Sequence, residues 1–264
     1  MEKIDADKLQ EGLNAKNFGK KIVFLHEATS TNDFAKKLAN YGADEGTVVL
    51  AENQSAGKGR LGRVWLSPRG GLYFSIILKP KIKISDAVKL VFVASLAVAE
   101  SIRNLYGLKV ETKWPNDVLV DGKKVCGILA EMSSMDEHLK FVVLGVGVNV
   151  NLNIKKKFPK ELQESATSLQ DMLGRKVEIE KLFKKLLERL ERLYTLFLKN
   201  GFTQILEKWK KFASFLGCQV EVLSDSQKWS GTALDVEEDG SLSLKLENGT
   251  VKRFLSGDIT LRLR

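Results

Sequence analysis

Cysteine and histidine are nearly missing from this chain, with two of each in 264 residues. Cys126 and Cys218 lie far apart, each among apolar neighbours. They read as buried free thiols, and neither a disulfide nor a metal site has support. His26 and His138 have no ligand spacing, so a histidine-based catalytic scheme lacks its parts. Long apolar runs are lacking too. None approaches the roughly 20 residues of a membrane span, and the charged start MEKIDADKLQEG has no apolar signal-peptide core. A cytoplasmic protein without membrane association is expected. No Ser/His/Asp or Cys/His nucleophile set is evident, and neither the P-loop spacing nor a dinucleotide-binding glycine fingerprint occurs.

What is present is an ordinary globular composition, 44% hydrophobic and 28% charged, with a net charge of +9. That charge suits nucleic acid, a polyphosphate ligand or an acidic protein. Much of it lies in Lys-rich helical segments such as 181–192, interleaved with Glu in the manner of a solvated helix face. Net charge therefore does not choose among the three.

One stretch does more. Residues 53–71, NQSAGKGRLGRVWLSPRGG, hold five glycines and four basic residues between runs that read as strands, 47–52 and 72–78. Loops of this length inside a compact domain are usually functional or disordered. Glycines let the backbone approach a ligand closely, and Lys58, Arg60 and Arg63 supply positive charge. The stretch reads either as a mobile basic surface loop or as a site for a bound polyanion.

The remaining pattern is mixed. Residues 20–26 read as a strand. Ser30 with Asp33 three residues on fits an N-terminal capping box for a helix over 34–41. A helix is expected over 87–106, closed by Gly107. Lys113-Trp114-Pro115-Asn116-Asp117 forms a corner that Pro115 keeps out of regular structure. Asp121-Gly122 then signals a hairpin between 118–120 and 123–131. Residues 141–150, FVVLGVGVNV, read as a buried strand whose glycines admit something close to the backbone, with the polar Asn149 at its end. A basic irregular connection is expected over 154–165. Residues 178–199 carry the clearest apolar stripe, and 202–215 a further helix. From Gly217 five short strand-like runs follow, at 218–223, 229–236, 241–247, 250–255 and 259–262. The expected domains are 1–215 and 216–264.

From the residues alone, the inference reaches an anion held by lysines, arginines and backbone N–H groups, with Trp65 available to stack on a flat ring. Such chemistry would rest on positioning and charge neutralisation.

Five motifs in one order carry a resemblance. They are Ser30-Thr31-Asn32; Gln54 with the segment from Gly57 to Trp65; Lys113 to Asp117; Lys124 with Gly127-Ile128-Leu129; and Gly145 to Asn149. Together they resemble the biotin–protein ligases, the biotin–[acetyl-CoA-carboxylase] ligases, from about Lys20 to the C-terminus.

The resemblance implies an α/β (α+β) fold. Its parts are a mixed-sheet, class II synthetase-like catalytic domain with packed helices and a small C-terminal Src-homology-3-like β-barrel. It implies a two-step reaction, in which biotin is activated by ATP as biotinyl-5′-AMP and then transferred to a lysine of a biotin carboxyl carrier protein of acetyl-CoA carboxylase. Biotin would meet Ser30, Thr31, Asn32, Gln54, Lys58, Gly59, Arg60 and Lys124. ATP would meet Arg60, Arg63, Trp65, Lys113, Asn116 and Asn149. Catalytic roles fall to Lys124, Arg60 and Asp117, with Asp117 near the metal or the incoming lysine. Mg²⁺ is expected on the triphosphate, with no protein metal ligand assigned.

Position 58 is Lys where many members have Arg, which puts the geometry of the loop in doubt. Only 29 residues precede Ser30, so no DNA-binding domain and no specific DNA binding are expected. A monomer or a homodimer would fit. The alternatives are a lipoyl/octanoyl-type acyltransferase of the same fold and a nucleic-acid-binding regulator.

Overall fold

The computed structural model describes residues 4–5 and 7–261. Seven strands build the larger sheet: β1 (Ile22–Leu25), β2 (Val48–Ala51), β3 (Leu72–Leu78), β4 (Val110–Lys113), β5 (Asp117–Val120), β6 (Lys123–Met135) and β7 (His138–Val148). Their order is β1-β2-β3-β7-β6-β5-β4. Only the β1–β2 pair is parallel among them. Parallel neighbours need a crossover, and α1 (Thr31–Asn40) provides it.

The sheet is covered on both faces, which explains why β3 is buried at every position. Leu72, Phe74, Ile76 and Leu78 face the main core. Ile77 faces the other way, with Ala35 and Ala39 of α1. The main core is closed by α2 (Leu90–Tyr106) and α6 (Ile179–Asn200), the latter presenting Leu182, Phe183, Leu186, Leu190 and Phe197 as one stripe. Short helices α3 (Ile154–Lys157), α4 (Lys160–Gln163) and α5 (Leu169–Leu173) connect β7 to α6, and α7 (Thr203–Lys210) follows it.

Five strands make a second, antiparallel sheet: β8 (Gln219–Ser224), β9 (Gln227–Val236), β10 (Leu242–Leu246), β11 (Val251–Phe254) and β12 (Asp258–Leu261), ordered β11-β10-β9-β8-β12. Its apolar face, including Val220, Val222, Leu242 and Ile259, belongs to the same core as α2 and α6. The Trp114 indole N–H donates to Gly240 O at 2.9 Å across the junction.

Several expectations shift. The helix expected at 34–41 starts three residues earlier, at Thr31, because Ser30 caps it: Ser30 Oγ accepts from Asp33 N at 3.4 Å. The helix expected at 87–106 opens with a 3-10 turn, Ile84–Lys89, before α2. The expected helix over 202–215 is confined to α7, since 211–217 folds into turns. The connection over 154–165 is not irregular but holds α3 and α4. β4 was not foreseen. Cys218 is exposed rather than buried, its Sγ directed at Ser214 O. Arg262, the expected end of the last strand, lies outside the described residues. Asp121 and Gly122, with φ 47° and 74°, form the foreseen hairpin turn.

Candidate active site

The N-terminus of α1, the glycines of β6 and β7, the loop 53–71 and the β4–β5 corner enclose a cavity of about 260 Å³. Every residue expected at the site lines it except Lys113.

At the α1 wall, Thr31 N donates to Gln54 Oε1 at 2.8 Å, and Gln54 Nε2 donates to Ser67 Oγ at 2.8 Å. Ser75 Oγ lies 2.7 Å from Thr31 Oγ1 and 2.6 Å from Asn32 Oδ1. Asn32 Nδ2 donates to Glu131 Oε2 at 2.8 Å, and Lys36 Nζ donates to the other Glu131 oxygen at 2.7 Å. Thr31, Asn32, Ser67 and Ser75 are buried and Gln54, Glu131 and Lys36 half-buried, and their mutual hydrogen bonds orient them before any ligand arrives.

The sheet floor explains the glycines. A Cβ on Gly145 would sit 2.1 Å from Asn32 Oδ1, and one on Gly147 would sit 2.3 Å from Trp65 Nε1. What approaches the backbone here is therefore the protein's own Asn32 and Trp65. Trp65 Nε1 and Asn149 Oδ1 are buried without a partner, a condition few native groups keep once their ligands are in place.

The loop is more ordered than its composition suggests. Trp65 N donates to Gly57 O at 2.9 Å and Gly59 N to Arg63 O at 2.7 Å, a small hairpin whose tip carries Leu61 at φ 54°. Side-chain contacts from Lys58, Arg60 and Arg63 pin it to its surroundings. Lys58 Nζ meets Asp33 Oδ1 at 2.6 Å on α1. Arg63 Nη2 meets Asp258 Oδ2 at 2.5 Å on β12. Arg60 Nη1 lies 3.7 Å from the other Asp258 oxygen and donates to Asn116 Oδ1 and Gly257 O, each at 3.2 Å.

Opposite the loop, Lys124 Nζ stands 2.8 Å from Asp117 Oδ1 and 5.3 Å from the centre of the Trp65 ring. Burial pulls the Arg60 pKa down, with Asp258 and Asp117 opposing that shift. Burial also lowers Lys113, which feels Asp117, Lys124 and Asp258 from just outside the cavity. The hydrogen bond to Asp33 raises Lys58. Arg60, Arg63, Lys113 and Lys124 thus face only Asp117 and Asp258 here, leaving excess positive charge suited to a polyphosphate.

Among the described residues, neither a cysteine nor a histidine lines the cavity. Cys126 is fully buried and burial pushes its thiol well above the ordinary range. Among the described residues no group of three or more His, Cys, Asp or Glu could hold a metal ion. Sequence reasoning missed Asp258, Ser75, Ser67 and Glu131. Ser75 and Glu131 sit in ordinary strand patterns, and Asp258 is far along the chain, so none carried a local signal.

Residues 25–149 match the biotin/lipoate A/B protein ligase family, and residues 215–262 match the biotin protein ligase C-terminal domain. The chain is 35% identical over 260 residues to the bifunctional ligase/repressor BirA of Bacillus subtilis (strain 168), covering 98% of this chain and 79% of that one. It is 35% identical over 232 residues to the biotin–[acetyl-CoA-carboxylase] ligase of Mycobacterium tuberculosis, covering 84% and 82% respectively. Among solved structures, the biotin protein ligase from Aquifex aeolicus in complex with biotin and ATP superposes with a TM-score of 0.79 at 32% identity. That match covers 92% of this chain and 99% of the other.

Proposed function

The chain belongs to the biotin protein ligase family, and on that premise we propose that the cavity under the 53–71 loop is where it joins biotin to ATP and then to a carrier lysine. It is an ATP-dependent biotin–[acetyl-CoA-carboxylase] ligase. A biotin carboxylate oxygen attacks the α-phosphate, the bond to the β-phosphate bridge breaks, and pyrophosphate leaves. A neutral lysine amine of the carrier then attacks the acyl carbon, AMP departs, and the amine's proton passes to solvent. Both nucleophiles come from substrates, so the reaction asks for no cysteine or histidine in the cavity.

In this reading the α1 wall takes the biotin ring, with Ser30, Thr31, Asn32 and Gln54 supplying hydrogen bonds. Lys58, Gly59 and Arg60 cover it, and Lys124 neutralises the carboxylate and the α-phosphate as charge develops. Arg60, Arg63, Trp65, Asn116 and Asn149 surround the nucleotide. The buried, unpartnered Trp65 Nε1 and Asn149 Oδ1 support that placement. Lys113 contributes through its field alone. Asp117 orients Lys124. Mg²⁺ enters as part of the nucleotide substrate, held by phosphate oxygens and water. Residues 1–215 act as the catalytic domain and 216–264 as a small domain that helps close the site. A monomer or a homodimer fits this reading. Sequence-specific DNA recognition is no part of the reading.

The single observation that carries the proposal is the excess of cations beside a pre-organised polar pocket that, among the described residues, no cysteine or histidine lines. Biotin-dependent ATP–pyrophosphate exchange, followed by transfer of labelled biotin to a carrier domain, tests it. Folded protein with MgATP that supports neither would refute it. The acyltransferase alternative needs a placed protein nucleophile, and buried Cys126 does not supply one.

A further inference from the structure

The loop over the cavity and the last strand of the small sheet are far apart in sequence, yet they meet as charges. Arg60 and Gly257 are 197 residues apart and are joined by a 3.2 Å hydrogen bond. Next to it, both carboxylate oxygens of Asp258 are directed at arginines of the loop, one at 2.5 Å from Arg63 and one at 3.7 Å from Arg60. We propose that Asp258 is a positioning residue of the ligase reaction, holding Arg60 and Arg63 so that the small domain sets how firmly the loop covers the activated intermediate. The proposal rests on the reading above, in which the loop lies over biotin and the nucleotide.

Three features make Asp258 an anchor rather than a chance neighbour. Its backbone is fixed, since β12 pairs with β8 in a regular antiparallel ladder with Asp258 opposite Leu223. The preceding residue is built to a tight fit: a Cβ on Gly257 would lie 2.8 Å from Leu223 O, so glycine brings its carbonyl to Arg60 without displacing the ladder. And the Arg60 side chain is only 20% exposed. A guanidinium withdrawn from water needs acceptors, and it has Asn116 from the β4–β5 corner, Gly257 just before β12 and Asp258 at its start.

A half-exposed ion pair contributes little alone, but here one carboxylate serves two cations on a single short hairpin. Asp258 acts through the arginines because both of its oxygens are directed at them. The loop is thereby tied at its second half to the small domain, as Lys58 ties its first half to α1.

The test uses the full chain with Asp258→Asn, which keeps shape and removes charge. Trypsin cutting after Lys58, Arg60 and Arg63 reports loop order without requiring catalysis. The half-life of bound biotinyl-adenylate reports retention. Asp258→Asn is expected to raise both the cutting rate in ligand-free protein and the rate of adenylate loss by about fivefold. KM for ATP should rise more than kcat falls. Asp258→Glu should recover at least part of each effect, and in an Arg63→Gln background Asp258→Asn should add much less than it does alone.

Unchanged cutting and retention in folded Asp258→Asn would overturn the proposal, and so would fully additive effects with Arg63→Gln. If Asp258→Asn unfolds the small sheet, Arg63→Gln takes over, read by cutting after Lys58 and Arg60; no acceleration there overturns the proposal equally. Biotin with MgATP should protect the wild-type loop. Failure of that protection would defeat the site reading itself, and with it this proposal. Protection in wild type beside an inert Asp258→Asn would defeat only the latch.

Discussion

Asn32 Oδ1 occupies the space that a side chain at Gly145 would need, at 2.1 Å from an ideal Cβ. The glycine and the asparagine are therefore one device: β7 gives up a side chain so that α1 can lay its first turn against the sheet. Gly145→Ala should push Asn32 off Glu131 and Ser75, which hold it at 2.8 and 2.6 Å. Overpacking of this kind costs about 1–3 kcal/mol. Biotin affinity should fall at least tenfold while ATP binding is nearly kept, as titration calorimetry with each ligand would show. Unchanged biotin affinity would remove Asn32 from the biotin wall.

Lys124 is held by Asp117 at 2.8 Å and lies against the Trp65 ring at 5.3 Å. Its ammonium is thus aimed before substrates bind, which is how charge stabilisation avoids reorganisation during reaction. Lys124→Ala should lower the rate of biotin-dependent pyrophosphate exchange by about 10²–10³ and weaken biotin binding far less. Asp117→Asn should lower the same rate by a smaller factor, because the ammonium stays but loses its guide. Stopped-flow single turnovers would separate the two variants. Equal losses would mean that Asp117 does more than orient Lys124.

How much of this was legible in the sequence depended on range. Local signals worked: Ser30 caps α1, Asp121-Gly122 turns a hairpin, and the stripe from Ile179 to Phe197 is a helix face. The glycines of β7 announced a close approach, although nothing local said that Asn32 and Trp65 would be what approaches. β4 was lost because Val110 and Thr112 alternate with Glu111 and Lys113 for only four residues before the Pro115 corner. Asp258 was out of reach, since its meaning comes from arginines almost two hundred positions earlier. The loop misled in the other direction. Its composition is that of a mobile segment, and its order comes from its hairpin and from Asp33 and Asp258.

The junction of the two sheets offers a stability test. Trp114 is 1% exposed and its indole N–H has Gly240 O as acceptor at 2.9 Å. Trp114→Phe would leave that carbonyl buried and unpaired, at a cost of about 1–3 kcal/mol. Because both sheets share one core, thermal unfolding should remain a single transition with a lowered midpoint. Two separated transitions in calorimetry would show that the small sheet melts alone. By the same reasoning, a chain ending near Ser214 should lose stability as well as activity, since it uncovers Trp114.

The Lys58–Asp33 pair allows the loop's other anchor to be judged. The contact is short, 2.6 Å, but the side chains are 45% and 35% exposed, so its net worth is about 0–1 kcal/mol. Thermal stability should therefore barely move in Lys58→Ala. The loop should respond instead: tryptic cutting after Arg60 should quicken several-fold, and added salt should quicken it in wild type more than in the variant. The pH dependence has a definite sign. The hydrogen bond to Asp33 raises the Lys58 pKa, so on the alkaline side the ammonium persists past the neutral range and the anchor is lost as pH climbs through the raised value. Lys58→Arg keeps the charge and should keep the pH range, but its planar fork needs a different approach to Asp33. A change in adenylate half-life in Lys58→Arg, with cutting rate and stability unchanged, would assign position 58 to ligand contact. A change in cutting rate alone would assign it to anchoring the loop.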